Sequence, residues 1–233
     1  MNASDRLIVA LDVAGPDEAR DLISRIGNRA GVWKIGLELL FTGGAELARE
    51  LAGDGQKVFV DAKLLDIPNT VERATANIAA LGAAFLTVHG HDIKTMEAAM
   101  RGRAGSDLKL LAVTVLTSLD AADLEQQGSR MDPAELVLHR ATLRRESGFD
   151  GVIASGHEAA EIRQATGSDF LIVTPGIRPA GSAAGDQARV MTPAKAIAAG
   201  ADYLVVGRPI TQADDPAAAA AAIAAEIDTA LSA

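Results

Sequence analysis

The stretch Lys57–Gly82, KVFVDAKLLDIPNTVERATANIAALG, holds one repeating unit of the fold. Val58, Phe59 and Val60 form a short run that is apolar on both parities, as in a parallel strand covered on both faces. A polar turn follows, and then Val71, Ala74, Ile78 and Leu81 recur at helical spacing, with Gly82 suited to the position after a helix. Three charges in six residues separate the two patterns: Asp61, Lys63 and Asp66. Strand parity puts Phe59, Asp61 and Lys63 on one face and Val58, Val60 and Ala62 on the other.

The same alternation runs through the chain. Strand-like runs begin at Arg6, Val32, Lys57, Phe85, Lys109, Gly151, Phe170 and Tyr203. Helical patterns lie between them, as in GPDEARDLISRI, where Pro16 suits the first turn and Ala19, Leu22, Ile23 and Ile26 form one face. Eight strands alternating with eight helices, at about 25 to 30 residues per unit, point to an α/β fold, a single-domain (β/α)8 TIM barrel over residues 1–233. A doubly wound open sheet shares the alternation but more often has five or six strands. The alanine-rich end, DDPAAAAAAIAAEIDTAL, reads as a last helix opened by acids and Pro216. Two connections of about 15 residues, Thr117 to Asp132 and Ile177 to Thr192, would both lie on the face where barrel strands end.

Composition narrows the class. The chain has 233 residues, 48% of them hydrophobic, so a large core is expected and disorder is not. A net charge of -9 with no basic run argues against a nucleic-acid surface, while leaving room for one basic pocket for a small anion. There is no cysteine, hence neither a disulfide nor a thiolate metal site. The N-terminus lacks the pattern of a signal peptide, and no stretch has the length of a membrane span. The expectation is a soluble cytoplasmic protein with no membrane partner.

Read in order, the strand ends carry Asp12, Lys34, Asp61 with Lys63, His89, Thr117, Ser155, Arg178 and Arg208. A barrel would gather them into one ring. An ion network that merely fixes a loop is the bland alternative for Asp61, Lys63 and Asp66, and the ring of partners weighs against it. A Schiff-base lysine must be neutral, whereas flanking carboxylates favour the ammonium. At about 4 Å and an effective dielectric near 20, each such contact favours the charged form by roughly 4 kcal/mol before desolvation. Lys63 is therefore expected to donate a proton and to stabilise a developing carbanion. Arg178 and Arg208, beside Gly176, Gly181, Gly185, Gln187 and Gly207, suit a phosphate held at the loops after the last two strands. His89 and His91 could ligate zinc. With only four histidines and lysines in the ring, no metal is expected, and His89 reads as a satisfied or substrate-facing residue.

VALDV, WKIGLEL, FVDAKLLDIPNTV, LTVHG, AVTVLTS, VTPGIRPAGSAAGDQARVMTP and YLVVGRPIT together give the chain its kinship. It resembles the bacterial-type orotidine 5'-phosphate decarboxylases over essentially its whole length. Asp-x-Lys-x-x-Asp alone also occurs in relatives that decarboxylate or condense sugar phosphates and that are expected to need a divalent metal. The extended DAKLLDIPNT with TPGIR and the following DQ is more specific. The resemblance implies a cofactor-free carboxy-lyase that converts orotidine 5'-phosphate (OMP) to UMP and carbon dioxide, the last step of pyrimidine nucleotide synthesis. It implies that Lys63 protonates C6 and that Asp61 faces the substrate carboxylate. Lys34 and Asp66 complete an alternating charge row, and Asp12 holds the ribose. Thr117 would contact the pyrimidine edge, a role that Ser118 beside it could share, while Pro175, Arg178, Gln187, Gly207 and Arg208 grip the pyrimidine and phosphate beneath a closing loop. It further implies a homodimer in which Asp66 and Thr70 reach the partner's site. A non-catalytic nucleotide-phosphate binder on the same barrel is the reading from another class.

Overall fold

The computed structural model describes residues 1–180 and 190–232. Its eight parallel strands close into a barrel in chain order: β1 (Leu7–Ala10), β2 (Val32–Ile35), β3 (Lys57–Leu64), β4 (Phe85–His89), β5 (Lys109–Val113), β6 (Gly151–Ile153), β7 (Leu171–Thr174) and β8 (Tyr203–Val206). The outer helices are α1 (Pro16–Ile26), α2 (Ala45–Gly53), α3 (Pro68–Ala80), α4 (Ile93–Gly102), α5 (Pro133–Glu146), α6 (Ala159–Thr166), α7 (Pro193–Ala198) and α8 (Pro216–Leu231). The closed barrel expected from the alternation is thus present, and the open sheet is excluded by the β1–β8 pairing.

The two parities of each strand serve two cores. Ile8, Val32, Phe59, Phe85, Leu111, Val173 and Tyr203 point inward and pack as one cluster. Val58 and Val60 face outward into the larger layer between barrel and helices. Inside, Phe85 stands edge-on to both Phe59 (centroids 6.0 Å apart) and Tyr203 (5.3 Å). These three rings plug the barrel, so any ligand must sit above them at the strand ends.

Two expectations about connections need correction. The apolar run from Val32, VWKIGLEL, has the pattern of one strand, but the strand stops at Ile35 and Leu37–Leu39 is helical. The connection from Thr117 to Asp132 is not all loop. It contains a helix, Ala121–Gln126, opened by a capping box in which Asp120 and Asp123 exchange side-chain and backbone hydrogen bonds. The Asp-x-x-Asp spacing was the available signal, hidden because so short a helix buries little besides Leu124.

Phe85 is the middle ring of the plug and is almost fully buried. Phe85→Ala should lower unfolding free energy by about 3 to 5 kcal/mol, read as a lower urea midpoint with unchanged m-value.

Candidate active site

Barrel register assembles the site. Lys34 pairs with Ala10 on one side and with Phe59 on the other. Asp12 and Asp61 each lie two residues beyond those partners on the same parity, one layer nearer the mouth. The lysine stem rises past the small Ala10 and brings Nζ between the two carboxylates, 3.0 Å from Asp12 Oδ1 and 3.3 Å from Asp61 Oδ2. Lys63 Nζ donates to the other oxygen of Asp61 at 2.8 Å. The result is an unbroken row of alternating charge, Asp12–Lys34–Asp61–Lys63.

Burial makes this row matter. Lys34 and Asp61 are both buried, where an isolated charge is costly, and each is met by opposite charge. For Lys34, burial works against the ammonium, but the Asp61 and Asp12 carboxylates more than offset it and hold its pKa above the ordinary lysine range. For Asp61, burial favours the neutral acid, but Lys34, Lys63 and a hydrogen bond from Thr87 hold its pKa below the usual carboxylate range.

Lys63 reaches Asp61 by an irregular path. Between β3 and β4, Val60 pairs with Leu86 and Leu64 pairs with Val88, so Asp61, Ala62 and Lys63 together face Thr87 alone. The bulge throws Lys63 into the left-handed region at φ 46°, the one non-glycine residue there among the described residues. The expected common orientation of Asp61 and Lys63 is present, by way of this bulge and not by simple alternation.

The row lines one wall of a cavity of about 570 Å³ at the barrel mouth. Thr117, Pro175, Arg178, Gly207 and Arg208 also line it, and Val113, Val115 and Ile153 supply an apolar patch. Both ends of the connection after β7 are tied down: Met191 N–H donates to the Gly176 carbonyl, and Arg178 N–H donates to the Met191 carbonyl. Gln187, with the loop expected to close over the ligand, lies outside the described residues, as do Gly181 and Gly185.

Four sequence-predicted residues stand apart from the cavity. His89 does not line it; its ring packs 4.8 Å from that of His91, and its buried Nδ1 has no hydrogen-bond partner among the described residues. Burial, with the nearby His91, Lys63 and Arg140, pushes its pKa down to about 4, so the ring is neutral near pH 7. Ser155 is buried, its hydroxyl 3.4 Å from the His157 N–H. Asp66 and Thr70 are exposed on the β3–α3 connection, and Asp66 accepts a hydrogen bond from the adjacent Ile67 N–H. No group of three His, Asp or Glu side chains placed to hold a metal occurs among the described residues.

Two residues escaped the sequence reading. A Cβ on Gly36 would stand 2.8 Å from Asp12 Oδ1 and 2.9 Å from Lys34 Nζ, so any larger residue there would push that ion pair aside. Thr87 donates to Asp61 Oδ1 at 2.8 Å. A lone hydroxyl in the middle of an apolar strand, on the parity of Phe85, was the signal available for it.

Fold and site together define a (β/α)8-barrel protein with a charged strand-end row and an arginine-bearing wall, a design suited to a phosphorylated small molecule. The chain belongs to the orotidine 5'-phosphate decarboxylase / HUMPS family, whose sequence model matches residues 5–223. It is 58% identical over 227 residues to the orotidine 5'-phosphate decarboxylase of Bradyrhizobium sp. (strain ORS 278), covering 97% of this chain and 93% of that relative. The Rhodopseudomonas palustris (strain BisA53) protein of the same name is 56% identical over 97% of this chain and 96% of its own. Among solved structures, orotidine 5'-phosphate decarboxylase from Lactobacillus acidophilus superimposes with a TM-score of 0.84 at 39% identity, covering 95% of this chain and 98% of that one. No helix among the described residues is long and apolar enough to cross a membrane.

The buried carboxylate links stability to pH. Because the folded pKa of Asp61 lies below its unfolded value, its contribution is complete above about pH 4 and is lost as pH falls through the folded value. Urea titrations from pH 6 to below pH 4 should therefore show a steeper acid loss of stability for the wild type than for Asp61→Asn.

Proposed function

We propose that the protein decarboxylates OMP to UMP without a cofactor. The observation that carries this reading is the Asp12–Lys34–Asp61–Lys63 row, set in the same cavity as Arg178 and Arg208. Family membership and the names of the relatives support it.

Loss of carbon dioxide breaks the bond from C6 to the carboxyl carbon and leaves the electron pair on C6. The ring offers no obvious sink for that pair, so fixed charge must stabilise it. The Lys63 ammonium, anchored 2.8 Å from Asp61, transfers a proton to C6 and is reprotonated from solvent. Asp61 faces the departing carboxylate, and Lys34 balances the buried charge. Asp12 accepts from the ribose hydroxyls, Thr117 and Pro175 border the pyrimidine, and Arg178, Gln187, Gly207 and Arg208 hold the phosphate. Enzymes remove about 8 to 23 kcal/mol from a barrier, more at the upper end than one ammonium supplies. Phosphate-binding energy spent on assembling the site is the remaining source.

The reading extends to a cytoplasmic homodimer. Asp66 and Thr70 are exposed, and their neighbours Leu65 and Ile67 are 52% and 68% exposed, an apolar flank that a second copy would cover. Covering it would deliver Asp66 and Thr70 to the partner's site.

The direct test follows OMP absorbance with purified protein in EDTA. Wild type should deplete the substrate and Lys63→Ala should not, while still binding UMP. No turnover by wild type that binds UMP tightly would leave a binder, and turnover abolished by EDTA would point to a metal-dependent sugar-phosphate relative. Arg208→Ala should lower kcat/KM by about a hundredfold or more, although Arg208 touches no reacting atom. An almost unchanged value would refute the role given to phosphate binding.

A further inference from the structure

Thr87 sits at the middle of β4 with 0% exposure, inside the barrel, and outside the cavity lining. Its hydroxyl makes two contacts at once. It donates to Asp61 Oδ1 at 2.8 Å and accepts from the backbone N–H of Lys63 at 2.9 Å. The same Asp61 oxygen receives the Lys63 ammonium. One hydroxyl therefore joins the buried carboxylate, the strained residue beside it and the neighbouring strand.

The bulge explains why this contact is needed. Three residues of β3 oppose the single residue Thr87, so ordinary ladder bonding cannot continue across the gap. The half-buried Lys63 N–H would lose its ladder partner there, which costs free energy wherever water does not replace it. A left-handed conformation at a non-glycine residue also costs free energy and persists only where surrounding contacts hold it. The Thr87 oxygen supplies the missing acceptor, while its hydrogen fixes which way the Asp61 carboxylate turns. Serine or threonine can do both, because a hydroxyl donates and accepts; valine has the same shape and does neither.

We propose that Thr87 is a positioning residue for proton transfer: it holds Asp61 and the Lys63 backbone in the arrangement that aims the Lys63 ammonium at the reacting carbon. This rests on the decarboxylase reading above. The groups facing Asp61 are Lys34 from β2, Lys63 from its own strand, and Thr87 and the more distant His89 from β4. Among them Thr87 is the uncharged donor, so it stabilises the ionised carboxylate without adding charge to the row.

The experiment compares Thr87→Val, Thr87→Ala and Thr87→Ser with wild type by OMP turnover, UMP affinity and a carbon-13 NMR titration of the Asp61 carboxyl. Hydrogen bonds to a charged group are strong enough that Thr87→Val should lose about tenfold to a hundredfold in kcat. UMP lacks the carboxylate and needs no proton, so its Kd should stay within about threefold, a split that simple loss of structure would not produce. The Asp61 titration and the acid limb of the rate profile should both move to higher pH, because removing a donor from the carboxylate disfavours its charged form. Thr87→Ser should retain most of the activity and the wild-type titration. If Thr87→Val does not fold, Thr87→Ala against Thr87→Ser decides the same question. Equal loss in serine and alanine variants would mean that the methyl packs and the hydroxyl does nothing, which overturns the proposal. So would an unmoved Asp61 titration in Thr87→Val or Thr87→Ala. Wild type without OMP turnover would sink the decarboxylase reading alone, since the NMR titration still reports whether Thr87 holds Asp61.

Discussion

Asp61 is a carboxylate buried between two ammonium groups, with Lys34 on one oxygen and Lys63 on the other. Everything else at the barrel mouth is arranged to permit it. A lone carboxylate at that depth would take up a proton, and a lone lysine at the depth of Lys34 would give one up. Each is held charged by opposite charges on both sides. The row ends at Asp12, where exposure to solvent removes the penalty for the last charge. Alternation keeps the wall close to neutral while placing a cation within reach of a ligand.

Such a row needs positional accuracy that a barrel can give. Lys34 is level with Ala10 and Phe59, one layer below the two carboxylates, and its stem spans the difference. Gly36 leaves space for the Asp12–Lys34 contact. At Lys63 the regular lattice is broken, and the bulge with its left-handed backbone turns this residue toward Asp61. Local strain is tolerated there because β2, β3 and β4 all bear on the same few atoms. The arginines come from the other side of the barrel, after β7 and β8, and the short bridge between Ile177 and Met191 fixes the base of the Arg178 segment.

Most of the fold was legible. Short runs of apolar residues on both parities suit strands covered on both faces, and eight of them alternating with amphipathic helices admit few closed solutions. The proline and acidic starts of α1 and α8 were readable because local chemistry decides them. The helix Ala121–Gln126 was not, being too short for a periodic face. At the site, strand-end position points to Asp12, Lys34, Asp61, Lys63, Thr117, Arg178 and Arg208, which line one cavity. His89 and Ser155 also lie at strand ends but do not line that cavity. Position at a strand end brings a residue to the mouth, but which way its side chain settles depends on neighbours such as His91 that linear reading cannot weigh.

What the sequence by itself determined was the strand–helix alternation, the inward and outward parities, and which residue types arrive at the strand ends. These follow from local periodicity, and a barrel needs no more to be specified. Tertiary structure decided the pairings: that Lys34 bridges Asp12 and Asp61, that Lys63 bends back through a bulge, and that Thr87 closes the gap. Each joins residues more than 20 positions apart or depends on a strand register, and register is set by the packing of the whole barrel.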